Sequence, residues 1–171
     1  LPALNTMDPK PLHPDSIAAQ ALGWVDEATR AVIPPLHASS THLRDADNQY
    51  RSGRIYMRDQ NPAFDQPEAV INALEGGHQT LLFASGMAAA TAVFQALSPG
   101  DHVLALDDLY GGTRRLFTKV FDRFGIKFSF ADLSADDIDR HLLPNTKMIW
   151  LETPSNPLLK LVDIKSICEK A

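Results

Sequence analysis

Thr80-Leu-Leu-Phe-Ala-Ser-Gly-Met-Ala-Ala-Ala-Thr-Ala-Val-Phe-Gln-Ala-Leu97 decides how this chain is read. The apolar run within 79–84 reads as a buried strand, Ser85-Gly86 as a turn, and the alanine-rich stretch 86–97 as a helix. Ser85 is placed to cap that helix, and Gly86 lets the backbone come close to a ligand. The first helical turn then presents N–H groups at the positive end of a dipole, which suits a phosphate. Taken alone, the segment serves equally well as a packing turn with no ligand.

Strand and helix signals alternate on either side. Upstream, 66–75 reads as a helix stopped by Gly76-Gly77. Downstream come a turn at Pro99-Gly100, strand 102–106, helix 112–124 ended by Gly125, strand 127–130, helix 135–143, strand 147–151 and a helix from Val162. This alternation predicts an α/β fold with a mostly parallel sheet and helices on both faces. The strands are apolar without clean alternation, as both-face burial requires. Residues 1–12 read as a flexible, proline-rich arm and 13–22 as the start of a short helix. Pro34-Pro35 keeps 32–41 extended, and 42–62 is a polar loop. The expected division is an arm-and-loop region, 1–62, followed by an α/β domain, 63–171.

In open α/β sheets, ligands sit outside the carboxyl ends of the strands. Ser85-Gly86, Tyr110 and the stretch Glu152 to Asn156 each follow a predicted strand. Tyr110, beside Gly111-Gly112, can lay its ring over a planar heterocycle, and its phenol can assist proton movements; the alternative is a tyrosine packed on the first helical turn. Tyr56 and Arg58 sit two residues apart, so in an extended segment both can donate to one anion. Without further information that pair reads equally as a solvated loop. Met87 contributes its amide, with its side chain in the core or the site wall. Asn156 and Glu152 bring an amide and a carboxylate to the rim, Glu152 being also readable as structural. Asp107 and Asp108 read as loop or cap residues.

Of 171 residues, 44% are hydrophobic, and the formal net charge is −5. That mildly acidic balance argues against a nucleic-acid partner. The six histidines show no paired metal-ligand spacing, so no metal is expected. Cys168 is the only cysteine, read as a helix-packing residue; one cysteine forms no internal disulfide and fits a reducing compartment. No apolar run is long enough to span a membrane and no signal peptide is visible, so a cytoplasmic location is expected.

Five local patterns occur in order: Tyr56-x-Arg58 followed by Asn61-Pro62, Leu74-Glu-Gly-Gly77, Phe83-Ala-Ser-Gly-Met87, Tyr110-Gly-Gly-Thr113 and Glu152-Thr-Pro-Ser-Asn-Pro157. From about residue 29 onward their order and spacing resemble the Cys/Met-metabolism group of pyridoxal-phosphate (PLP) enzymes. That group includes cystathionine γ-synthases, cystathionine lyases, methionine γ-lyases and O-acylhomoserine sulfhydrylases. The resemblance implies a partial type I PLP-transferase large domain, binding pyridoxal 5′-phosphate. It implies phosphate binding by Ser85, Gly86 and Met87, stacking of Tyr110 on the cofactor ring, and a hydrogen bond from Asn156 to the cofactor's 3′-oxygen. It implies that Tyr56 and Arg58 reach the phosphate of a neighbouring subunit, in a homodimer or homotetramer with shared sites. The expected chemistry is γ-replacement on an O-acylated or sulfur amino acid, or alternatively a γ- or β-elimination by a lyase.

The chain departs from the group's pattern at Ala63, where Thr is usual, and at Arg30, where Gly is common. PLP chemistry also needs a lysine bound covalently to the cofactor and an acid at the ring nitrogen. None of Lys10, Lys119, Lys127, Lys147, Lys160, Lys165 or Lys170 has the expected context. The chain is therefore read as the N-terminal portion of a longer enzyme, one that folds poorly alone because apolar sheet edges are left open. A non-catalytic module binding a phosphorylated ligand is the alternative of another class. A dinucleotide-binding fold lacks its Gly-x-Gly-x-x-Gly.

Overall fold

The computed structural model describes residues 12–134 and 137–171. The expected arm over 1–12, apart from Leu12, together with the first two residues of the expected helix 135–143, lies outside them. The chain divides into two units at Leu82/Phe83. The expected boundary at 62/63 falls inside the first unit, at the start of its long helix.

In that first unit, helix α1 spans Pro14–Gln20 and helix α2 spans Pro62–Glu75. Asn61 caps α2 by accepting from the Ala63 N–H, and Pro62 opens it where no N–H is needed. The helix therefore begins four residues before the expected Gln66. Gly76 closes it at φ +62°, a left-handed conformation that suits glycine. Between the helices, 32–60 lacks regular structure apart from one antiparallel bridge between Thr41 and Tyr56.

The second unit is built on a parallel sheet. Strand β1 spans His102–Leu106, β2 spans Lys127–Ala131 and β3 spans Thr146–Trp150, in the order β2-β1-β3. His102 pairs with Lys127 on one side and Thr146 on the other. Every residue of β1 is buried, because both faces of this central strand are covered. Val103 and Ala105 face a cluster of Phe94, Leu109, Phe117, Phe121 and Ile126; Leu104 and Leu106 face Ala131, Leu133, Ile138, Val162 and Ile167. The period-2 alternation of the strand thus feeds two separate cores.

Helix α3, Gly86–Phe94, contributes Phe94 to the first core, and α5, Ile164–Lys170, contributes Ile167 to the second. Phe94 lies 4.5 Å from the ring centroid of Phe117 and 5.0 Å from that of Trp150. Helix α4, Gly111–Arg115, passes into a π turn over Leu116–Val120 and a 3-10 turn over Phe121–Phe124. The expected helix 112–124 is therefore one rod with two changes of winding. Gly125 ends it at φ +82°, where an added Cβ would also come within 3.2 Å of Pro99.

Three expectations are corrected. The stretch 79–84 is not a strand: among the described residues no ladder pairs with it, Leu81 is 62% exposed, and the Leu82 N–H is satisfied by the Glu68 carboxylate at 2.9 Å. Of the expected helix 135–143, the described part forms only a single 3-10 turn, Ile138–Arg140, capped by Asp137. Cys168 is exposed on α5, since Ile167 takes the inward position beside it. No helix among the described residues is long and apolar enough to cross a membrane.

His102 is 2% exposed and held between two hydroxyls, Thr146 Oγ1 at 2.8 Å and Ser129 Oγ at 2.9 Å. Burial disfavours its charged form and lowers its pKa below the ordinary 6.5. A base whose folded pKa is depressed lends stability that is complete above its unfolded value. That stability is lost as the pH falls below 6.5 toward the lowered folded value. Urea midpoints measured between pH 7.5 and about pH 5 are expected to fall in the natural protein. They are expected to fall less in His102→Asn, which takes no proton.

Candidate functional site

The C-terminal ends of β1 and β3 and the N-terminus of α3 meet at a cleft of about 540 Å³. Ser85, Gly86, Met87, Tyr110, Trp150 and Glu152 are among its lining residues. Five of the residues expected at a site from sequence are thus brought together.

At the helix entrance, Ser85 is the N-cap, its backbone extended and its Oγ accepting from the Ala88 N–H at 3.1 Å. That cap uses the third N–H of the helix. The first two, on Gly86 and Met87, have no acceptor among the described residues, and no helical partner exists for them. A Cβ built on Gly86 meets nothing within 4 Å. The entrance is therefore open, with two free donors and the positive end of a dipole facing the cleft.

Tyr110 follows β1 and precedes α4. Its N–H donates to Glu152 Oε2 at 2.7 Å, while the Trp150 indole donates to Glu152 Oε1 at 3.1 Å. Glu152 thus holds the backbone of the residue expected to stack and fixes the wall beside it. The Tyr110 ring lies against Gly112: a Cβ there would sit 2.3 Å from Tyr110 Cε1. Only glycine leaves that space to the ring.

Asn156 stands exposed in the turn 156–158 that follows Ser155, on the rim loop after β3 but not in the wall of the cleft. Tyr56 and Arg58 belong to the first unit. The segment is a turn rather than extended beyond Tyr56, whose carbonyl accepts from Asp59 and Gln60. The Arg58 guanidinium carbon lies 5.8 Å from the Tyr56 ring centroid, so phenol and guanidinium are neighbours.

Sequence reading missed the rim network. Lys160 donates to Asp132 at 2.7 Å and to Asp107 at 3.2 Å. Its hydrogen bond to Asp132 draws that carboxyl down to about 2, with Ser134 adding to the effect. The same bond raises the pKa of Lys160, which holds it as an ammonium. A lysine so held is no amine nucleophile. Asp108 accepts from Ser155 Oγ and from the Leu158 N–H. Asp107 and Asp108 therefore tie strand-end loops together rather than cap a helix. The partners lie about 50 residues away in sequence, so no local pattern reveals them. No cluster of potential metal ligands occurs among the described residues.

The family profile described as "Cys/Met metabolism PLP-dependent enzyme" matches residues 15–171. The chain is 43% identical over 145 residues to the cystathionine gamma-lyase of Dictyostelium discoideum, covering 84% of this chain and 38% of that protein. It is 40% identical over 164 residues to the cystathionine beta-lyase of Coxiella burnetii, covering 95% and 42%. Among solved structures it is similar to metB from Corynebacterium glutamicum, with TM-score 0.84 and 34% identity over 92% of this chain and 43% of that one. It is also similar to apo CalE6, a methionine gamma lyase from Micromonospora echinospora, with TM-score 0.85 and 32% identity over 94% and 43%. The chain spans about two fifths of the length of the relatives it matches. By profile, by identity and by fold, the chain belongs to the Cys/Met metabolism PLP-dependent enzyme family, whose cofactor is pyridoxal 5′-phosphate.

Proposed function

We propose that the full-length protein acts at the γ-carbon of a sulfur-containing or O-acylated amino acid, by elimination or replacement. Elimination from cystathionine is the reading favoured by the 39–43% identity to several cystathionine gamma-lyases. The open entrance of α3 carries the proposal, because its two free N–H groups fit a phosphate ester and leave it room.

Bound PLP would supply an electron sink for the electron pair left on carbon when a proton leaves beside the substrate's amine. This chain's residues do the holding and placing. Gly86 and Met87 N–H groups and the α3 dipole bind the phosphate, with the Ser85 hydroxyl beside them. Tyr110, fixed through Glu152, lays its ring on the cofactor and puts its hydroxyl where a proton can be moved. Asn156 donates to the cofactor's 3′-oxygen. Tyr56 and Arg58 complete the phosphate site of a neighbouring copy, which makes a homodimer the smallest active unit and a homotetramer a pair of them. A fork of guanidinium donors suits that task better than an ammonium. The likeness to cystathionine lyases supports a role in transsulfuration, and a single cysteine, which forms no internal disulfide, fits a reducing cytoplasmic compartment.

Purified full-length protein is expected to absorb at about 420 nm and to be bleached by borohydride, as a PLP–lysine linkage is. Cystathionine alone should then yield a keto acid, ammonia and a thiol amino acid. Product only from an O-acylated homoserine plus a thiol would assign replacement instead. A colourless protein that takes up no PLP would overturn the proposal. Arg58→Ala is expected to lower PLP affinity about tenfold, the effect of losing one charge-assisted contact, as read by cofactor content after dialysis.

A further inference from the structure

Two loops on the rim brace each other. From the β3 side, Glu152 grips the Tyr110 N–H at 2.7 Å. From the β1 side, one oxygen of Asp108 accepts both the Ser155 hydroxyl and the Leu158 N–H, the latter at 3.0 Å. Ser155 is 1% exposed, and its hydroxyl also accepts from the Lys160 N–H at 2.9 Å, so its bonding is spent on the loop itself. The Ser155 N–H closes the turn on the Lys160 carbonyl at 3.0 Å. Asn156 lies between the two points held by Asp108, one residue after Ser155 and two before Leu158. It is exposed, and Ser155 anchors it from the buried side.

We infer that Asp108 is a positioning residue for Asn156: its carboxylate pins the loop on both sides of that amide and so sets where it meets the cofactor. The residue just before Tyr110's neighbour Leu109 thereby governs a ligand on a different strand, and the stacking ring and the hydrogen-bonding amide are set as one unit. The inference rests on the PLP reading above, since Asn156 needs the cofactor's oxygen as its partner. Removing this half-buried acceptor is costly, because the Ser155 hydroxyl, itself buried, is left without it.

The test uses the PLP-loaded, full-length protein. It reads the pH midpoint of the bound cofactor's visible band, alongside kcat and KM. Asn156→Ala is expected to move the midpoint by about one pH unit, the equivalent of one hydrogen bond. Asp108→Ala should move it in the same direction and lower kcat about tenfold, with KM nearly unchanged. Asp108→Asn, which keeps an oxygen able to accept, should restore both. A natural midpoint in Asp108→Ala, with Asn156→Ala shifted, overturns the inference and leaves the cofactor reading standing. An equal shift in Asp108→Asn and Asp108→Ala overturns it too, since charge rather than position is then responsible. An unshifted Asn156→Ala overturns the assignment of Asn156 and the inference with it. Should Asp108→Ala not fold, Ser155→Ala takes its place: a smaller shift in the same direction supports the inference, and a natural midpoint overturns it.

Discussion

Phe94→Ala is expected to lower the stability of the protein by about 3–5 kcal/mol, seen as a drop in urea midpoint at unchanged slope. Phe94 is fully buried at the end of α3 and touches the rings of Phe117, Phe121, Phe128 and Trp150. Nothing nearby is free to fill the space a phenyl leaves, because these rings already pack against one another: Phe117 stacks on Phe128 at 4.7 Å and meets Trp150 edge-on at 5.9 Å. The loss should also reach the cleft. Trp150 holds Glu152, and Glu152 holds the Tyr110 backbone. Phe94→Leu, which keeps most of the volume, should recover more than half of the stability. A midpoint unchanged in Phe94→Ala would mean that this cluster is not the core that seats the helix.

Gly112→Ala is expected to lower kcat about 100-fold while leaving the protein folded. A Cβ at that position would stand 2.3 Å from Cε1 of Tyr110, and 3.0 and 3.1 Å from two further ring atoms. No real Cβ contact is that short, so the ring must swing by an ångström or more. Misplacement on that scale costs about two orders of magnitude when the group positions a reacting molecule. Gly86→Ala gives the contrast. Its added methyl meets nothing in this structure, so folding should be untouched and any loss should appear as weaker PLP binding. Circular dichroism and a cofactor titration on both variants separate the two effects. Natural turnover in Gly112→Ala would show that the Tyr110 ring does not work from where it lies.

Much of the sheet was legible because its strands announce themselves by composition. His102 to Leu106 is an unbroken apolar run after the first residue, bounded by turn signals, and it forms the central strand over that span. The residues 79–84 carry the same signal, yet form no strand. An apolar run states that a segment prefers burial; only a partner's N–H and C=O groups make it a strand, and among the described residues none is paired with it. The helix 112–124 was legible as a helix, but not its π turn, since winding follows packing of Phe117 and Phe121 and not propensity. At the site, Ser85-Gly86 and Tyr110-Gly-Gly could be read because each is a local device of cap, turn and ring. The bond from Tyr110 to Glu152 spans 42 residues and that from Ser155 to Asp108 spans 47, and such pairings exist only once the sheet has brought the strand ends side by side.

A crystal structure of the full-length protein with PLP bound is the most direct measurement. Phosphate oxygens are expected about 3 Å from the Gly86 and Met87 nitrogens, with the Tyr110 ring parallel to the pyridine ring. A phosphate bound elsewhere, with those two N–H groups facing solvent or another part of the protein, would contradict this expectation.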